Sequence, residues 1–358
     1  MKKNRRGNLA IRTNRRDFLK VVAGAGIAAG LGLPGAGAAG EAATGGMSCR
    51  PLGKTGLMVS EIGLGGHHYA MRARLLDHAQ SRPELVEGRL DAKEAGGDYQ
   101  AQRTRQVAAA LEHGVNYFDT TYDHEAEALG NALADLKARD KCTIACDYCM
   151  DGTKSRELRW SAARRFERSL KLLKTDHVDV YRPTPRDKMN QTDLQTLYDL
   201  FTKWKQEGKA RFFGISGHDE RYLMWAVETF PLDLILVPYS VGVQKAAEKL
   251  LPFAKQRGVG VVVIKPFAGG SLFRAAEDVG KLQKSAGESV ARAGLKFILE
   301  NPNVSTVVPG ANTVEEVVDN CQASGRKLGD ATRAALRAIA AAVPRHLPPQ
   351  YEWLANWA

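Results

Sequence analysis

The sequence predicts a (β/α)8 TIM barrel of the α/β class, preceded by a short N-terminal β-hairpin. Three observations carry that expectation. From Cys49 onward, short apolar runs alternate with amphipathic helical stretches, as in parallel strands joined by crossover helices. The runs number eight, which is enough to close a barrel whose site-bearing loops follow the strands. No Gly-x-Gly-x-x-Gly turn opens an early helix, so a doubly wound open sheet is the weaker alternative.

The elements follow in order. A hairpin turn is expected at Leu52-Gly53-Lys54-Thr55-Gly56, because two glycines flank a short polar step. The barrel strands are expected at the short apolar runs 58–65, 116–119, 143–146, 178–181, 212–216, 234–238, 259–265 and 306–309. Helices are expected at 103–113, 126–136, 158–173, 193–207, 221–229, 246–257 and 289–300, with 314–323 after the last strand. The barrel domain therefore spans 49–330. An Ala/Arg-rich helical tail occupies 331–358, broken at Pro348-Pro349 before the aromatic end at Trp353 and Trp357. Residues 70–100 interrupt the first unit with a long polar insertion, expected to be a tolerated surface loop and not a lid.

Residues 1–38 have a different composition. The run Asn14-Arg15-Arg16-Asp17-Phe18-Leu19-Lys20 precedes an uncharged Ala/Gly/Val stretch, and Ala36-Gly37-Ala38 offers small residues for cleavage. That pattern is similar to a twin-arginine signal peptide, so the expectation is an exported, periplasmic protein that meets the twin-arginine export machinery. Removing residues 1–38 takes away eight Lys/Arg and one Asp and lowers the formal charge from +11 to +4. The remainder holds no basic cluster with interleaved aromatics, so nucleic-acid binding lacks support. The apolar stretch is too short and Gly-rich for a stable membrane span.

Six stretches resemble the aldo/keto reductases, in that family's order. They are Pro51 to Leu57 with Ile62-Gly63-Leu64-Gly65; Gly114 to Thr120; Ser169-Leu170-Lys171 through Asp176 to Tyr181; Phe213 to His218; Lys265 to Gly270; and Val308-Pro309-Gly310 with Glu315, Glu316 and Asn320. The resemblance implies hydride transfer between NADP or NAD and a small-molecule carbonyl or alcohol. In that family a tyrosine donates the proton, a lysine lowers its pKa, an aspartate holds the lysine and a histidine orients the carbonyl.

Position by position, Asp119 matches the aspartate. The tyrosine is Tyr122 when counted back from Leu129-Gly130, while counting forward from Asp119 gives His124. The lysine position holds Asp147 and the histidine position Thr184, so aldehyde reduction is expected to be slow and to rise when lysine and histidine are restored. On the cofactor side, Ser216 matches the nicotinamide amide contact. Lys265, Phe267, Gly269 and Gly310 match the pyrophosphate wall, and Glu316 and Asn320 match the adenine contacts. Leu236 replaces the family's glutamine, and no arginine closely follows Gly310 to grip a 2′-phosphate.

Two other functions compete with this one. A non-catalytic binding protein could keep the same barrel. Cys142, Cys146 and Cys149 have the C-x3-C-x2-C spacing that resembles a radical-enzyme iron-sulfur site, but they fall on an expected strand whose side chains alternate between faces. A local Cys146–Cys149 disulfide is the more modest expectation, and no metal site is expected.

Overall fold

A computed structural model describes residues 46–66, 97–149, 155–185, 189–280 and 288–357. The signal-like segment 1–38 and nearly all of the 70–100 insertion lie outside the described residues.

The chain starts with an antiparallel hairpin of β1 (Cys49–Pro51) and β2 (Met58–Ser60), in which Arg50 faces Val59. The expected strand over 58–65 is therefore two strands. Met58–Ser60 belongs to the hairpin, and the barrel begins at β3 (Leu64–Gly65). The break comes at Glu61–Gly63, where the chain crosses from the floor of the barrel into its wall.

The wall continues through β4 (Tyr117–Thr120), β5 (Thr143–Cys149), β6 (Val178–Thr184), β7 (Ala210–Ser216), β8 (Leu234–Pro238), β9 (Gly260–Ile264) and β10 (Thr306–Val307). These eight strands are hydrogen-bonded in sequence order, all parallel. Closure comes at the last seam, where the Gly63 N–H donates to Val307 O at 2.8 Å and the Val307 N–H to Glu61 O at 3.0 Å. The expected barrel is thus formed.

Alternation along each strand divides the apolar residues into two layers. Tyr117, Ala145, Val180, Leu234, Leu236 and Val262 fill the interior together with Leu52 of the hairpin. Phe118, Ile144, Tyr181, Phe213, Ile235 and Val263 face outward under the helices. Leu52 enters the interior because the hairpin caps the barrel's lower end. There Gly53 (φ +54°) would place a Cβ 2.4 Å from Gly258 O, so only glycine lets the two backbones meet.

Helices cover the outer layer: α1 (Gly97–Glu112), α2 (Asp123–Asp135), α3 (Ser155–Leu172), α4 (Gln191–Gln206), α5 (Glu220–Thr229) and α6 (Leu250–Gln256). The helix expected over 246–257 is shorter, because a 3-10 turn at Lys245–Ala247 precedes it. Next come α7 (Ser271–Val279), which the sequence reading did not anticipate, then α8 (Val290–Leu299), α9 (Val314–Cys321) and α10 (Asp330–Ala342). Beyond α10, the 3-10 segment Pro349–Trp357 folds back over the upper rim. The Trp353 ring stacks on His218 with centroids 3.7 Å apart, and the Trp357 Nε1–H donates to His218 O at 3.0 Å. Among the described residues no helix is long and apolar enough to cross a membrane.

Candidate active site

At the ends of the strands opens a cavity of about 830 Å3, in the upper part of the range usual for small-molecule sites. Its wall includes Asp119, Tyr122, Asp147, Arg182, Thr184, Ser216, Lys265, Phe267, Gly269, Gly310, Glu316 and Asn320. The residues matched to catalytic and cofactor positions thus converge on one space, and Arg182 joins them there.

Arg182 organises the floor. It follows Val180 by two residues on β6, so the same alternation that sends Val180 inward sends the guanidinium inward. Its Nε–H donates to Asp119 Oδ2 at 2.8 Å and its Nη2–H to Asp119 Oδ1, a two-pronged pair. Nη2 also reaches Thr121 Oγ1 at 3.2 Å and Thr120 O at 3.3 Å. Nη1 lies 3.2 Å from Asp147 Oδ2. One buried cation therefore holds two buried carboxylates on neighbouring strands. Burial works against the charged guanidinium, but Asp119 and Asp147 more than offset it and hold its pKa above the usual arginine range.

Asp147 is the less committed carboxylate. Its Oδ2 accepts from Thr184 Oγ1 at 2.8 Å, while its Oδ1 has no hydrogen-bond partner. Burial raises the carboxyl to about 6, although Arg182 and the Thr184 hydroxyl pull the other way. Thr184 itself is only partly buried and meets the cavity. Beneath this group the Tyr117 phenol is fully buried. Burial first, and then Asp119, push its pKa well above the ordinary tyrosine value.

Tyr122 stands at the N-terminus of α2 in extended conformation, where Glu125 Oε2 accepts from the Thr121 N–H at 2.7 Å and the Tyr122 N–H at 3.3 Å. That cap fixes Tyr122 on the cavity wall. His124, the alternative, is buried in α2 with its ring stacked 5.7 Å from Tyr122, and it does not line the cavity.

The opposite wall is backbone-rich. Lys265, Ala268, Gly269 and Gly270 all have positive φ, so the chain coils tightly between β9 and α7. A Cβ on Gly269 would sit 2.2 Å from Tyr351, which packs the C-terminal segment against this loop. Farther along, Thr313 caps α9 by accepting from the Glu316 N–H at 3.2 Å, Glu316 Oε2 accepts from the Asn312 N–H, and Asn320 is buried. Ser216 ends β7, and Leu236, at the top of the barrel interior, also lines the cavity.

Two of the cysteines in that spacing face away from the cavity. Cys142 and Cys146 lie in the outer core layer, and burial pushes both thiols up to about 12. Cys142 Sγ donates to Ala138 O, and Cys146 is a free thiol. Neither supplies a thiolate to the cavity, so three converging ligands are not formed here. The Cys149 side chain lies outside the described residues. Among the described residues no group of three or more His, Cys, Asp or Glu could hold a metal ion.

Sequence reasoning missed Arg182 and the rim residues Gln350, Tyr351 and Trp353 that also line the cavity. For Arg182 a signal existed: an arginine two residues beyond an inward valine on a barrel strand must itself turn inward.

Comparison with known proteins places this geometry in context. The model of the aldo/keto reductase family matches residues 92–341. L-galactose dehydrogenase of Arabidopsis thaliana is 28% identical over 302 residues, covering 76% of this chain and 87% of that protein. An aldo-keto reductase of Bacillus halodurans in its holo form superposes with a TM-score of 0.62 at 22% identity, covering 82% of this chain and 96% of that one. An aldo-keto reductase of Klebsiella pneumoniae in complex with NADPH superposes with a TM-score of 0.63 at 23% identity, covering 85% and 96%. The two superpositions concern the fold alone.

Proposed function

Since this chain belongs to the aldo/keto reductase family, we propose that it is an NAD(P)-linked oxidoreductase acting on a carbonyl or an alcohol. The observation that carries this reading is the continuity of the cavity. The charged floor of Asp119, Arg182 and Asp147 opens into the groove lined by Ser216, Lys265, Phe267, Gly269, Gly310, Glu316 and Asn320. The backbone-rich lining of that groove, with polar side chains at Ser216, Lys265, Glu316 and Asn320, fits a nicotinamide dinucleotide, which when bound would supply or accept the hydride. That the Klebsiella neighbour of the same fold is in complex with NADPH supports a nicotinamide dinucleotide as the cofactor class.

In this reading the chain's own residues divide the work. Ser216 meets the nicotinamide end, the coil from Lys265 to Gly270 and Gly310 approach the pyrophosphate, and Glu316 and Asn320 hold the adenosine end at α9. Asp119 anchors Arg182, which supplies from β6 the cation that the family draws from a lysine on β5. The reacting carbon would sit over this floor beside Tyr122.

Fluorescence titration with NADPH and NADH in parallel tests the reading. Wild-type protein is expected to bind at least one of them. Gly310→Trp, which fills the groove, is expected to weaken binding about tenfold or more, a loss of about 1.4 kcal/mol per factor of ten. Asn320→Ala removes one polar contact and is expected to lose about as much. Binding equal in all three proteins would place the cofactor elsewhere, and no binding would favour a non-catalytic barrel.

Export belongs to the same proposal. The Arg15-Arg16 pair with Phe18-Leu19-Lys20 supports a twin-arginine route. Arg15→Lys with Arg16→Lys is expected to abolish export, because the paired guanidinium groups and not charge alone are recognised. Normal export of that variant, followed by fractionation, would remove the assignment.

A further inference from the structure

The floor of the cavity contains a hydrogen-bonded pair that the family's tyrosine chemistry does not use. Thr184 Oγ1 meets the cavity and donates to Asp147 Oδ2 at 2.8 Å. Asp147 is 5% exposed; the same Oδ2 also lies 3.2 Å from Arg182 Nη1, and Oδ1 has no hydrogen-bond partner. The pair therefore has the form of a short wire from a solvent-facing hydroxyl to a buried proton store.

We propose that Thr184 and Asp147 form the proton relay of this site, carrying the proton between a substrate hydroxyl and the buried carboxylate. The proposal rests on the oxidoreductase reading above. In the oxidative direction, the substrate hydroxyl gives its proton to Thr184 Oγ1 as the Thr184 proton passes to Asp147 Oδ2. The O–H electron pair becomes the second bond of the carbonyl, and the hydride leaves the carbon for the oxidised nicotinamide dinucleotide. Asp147 ends as a neutral acid and Thr184 as the same hydroxyl. Reduction runs every transfer backwards.

Geometry separates the two carboxylates by role. Asp119 takes both prongs of the Arg182 fork and remains the anchor, whereas Asp147 shares a single contact with that cation. The groups facing Asp147 are Arg182 and Thr184 from β6, Asp119 from β4 and Arg165 from α3. Burial leaves Asp147 near a pKa of about 6, where a carboxyl can both hold and release a proton close to neutrality. Oxidation needs the ionised form, so its rate should rise as pH rises through about 6. Reduction needs the neutral acid and should fall over the same interval.

The test uses the full mature chain loaded with NADH or NADPH for reduction of 4-nitrobenzaldehyde, and with NAD+ or NADP+ for oxidation of 4-nitrobenzyl alcohol. Asp147→Asn and Thr184→Val are each expected to lower turnover by about a hundredfold with little change in KM, while Thr184→Ser stays close to wild type. The opposed pH limbs should disappear in Asp147→Asn. A second readout needs no turnover. Infrared difference spectra of wild-type protein across about pH 5 to 8 should contain the carbonyl band of a buried neutral carboxyl that titrates near 6. The band should shift in Thr184→Val and vanish in Asp147→Asn. Unchanged turnover and pH limbs in both variants would overturn the relay, and so would absence of the band. If no dinucleotide binds, the functional reading fails, and the infrared band still decides whether Thr184 and Asp147 share a titrating proton.

Discussion

Arg182→Met is expected to destabilise the barrel by about 3–5 kcal/mol, the largest single effect of any substitution in the site. Methionine fills comparable space but leaves Asp119 and Asp147 buried without their shared cation, and an uncompensated buried charge is far more costly than a missing contact. Both carboxylates are almost fully buried, so solvent screening offers little relief. The loss should also depend on pH. The remaining carboxylates can escape the penalty by binding protons, so the destabilisation should shrink as the solution is acidified. Arg182→Lys is expected to recover only part of the stability, since an ammonium cannot reproduce the two-pronged bond to Asp119. Denaturant unfolding of the three proteins checks this. A midpoint for Arg182→Met equal to wild type would mean that the guanidinium is not the keystone of the floor.

Restoring the family's residues is expected to harm this protein. From sequence alone, Asp147→Lys with Thr184→His should install the missing cation and the missing histidine. The structure reverses that expectation, because the cation is already present. A lysine at 147 would enter the buried space where Asp147 Oδ2 now lies 3.2 Å from Arg182 Nη1 and would replace an attraction with a like-charge repulsion. The double variant is expected to lose about 3 kcal/mol or more and to gain no aldehyde reductase activity. Removing the resident cation at the same time, in Arg182→Leu with Asp147→Lys and Thr184→His, should recover stability relative to the double variant, since Asp119 would again face one cation. Unfolding midpoints ordered the other way would show that Arg182 and Asp147 are not coupled.

Asp147 adds a pH dependence of its own. Its folded pKa of about 6 lies above the ordinary carboxyl value. The folded state therefore favours the neutral acid, and the stability this contributes is present at low pH and lost as pH rises through about 6. The direction is opposite to that of a salt-bridged surface carboxylate.

Much of the fold was legible because strand alternation and helix periodicity are local properties. Ile144 and Ala145 can be assigned to opposite faces of one strand without knowledge of the rest of the chain. The same holds for Asp119 and Asp147, whose inward direction follows from Tyr117 and Ala145. The split of the expected first strand was not legible, because only pairing with Cys49–Pro51 assigns its first part to the hairpin. The tail was half legible. Its aromatic end stood out, but nothing in the sequence said that Trp353 would lie on His218.

The sequence by itself determined the barrel, the family likeness and the presence of an aspartate where a lysine was expected. Each of these depends on the type and spacing of residues along the chain. Only the tertiary structure decided what that aspartate means. The register aligns Asp119 with Ala145 and Ala145 with Val180, and it pairs Asp147 with Arg182. The small side chain of Ala145 stands between Asp119 and β6, and the guanidinium spans the gap to the two carboxylates. Charge compensation of this kind is a property of distance between strands. Residues 119, 147 and 182 are far apart in the chain, and no local pattern records that they meet.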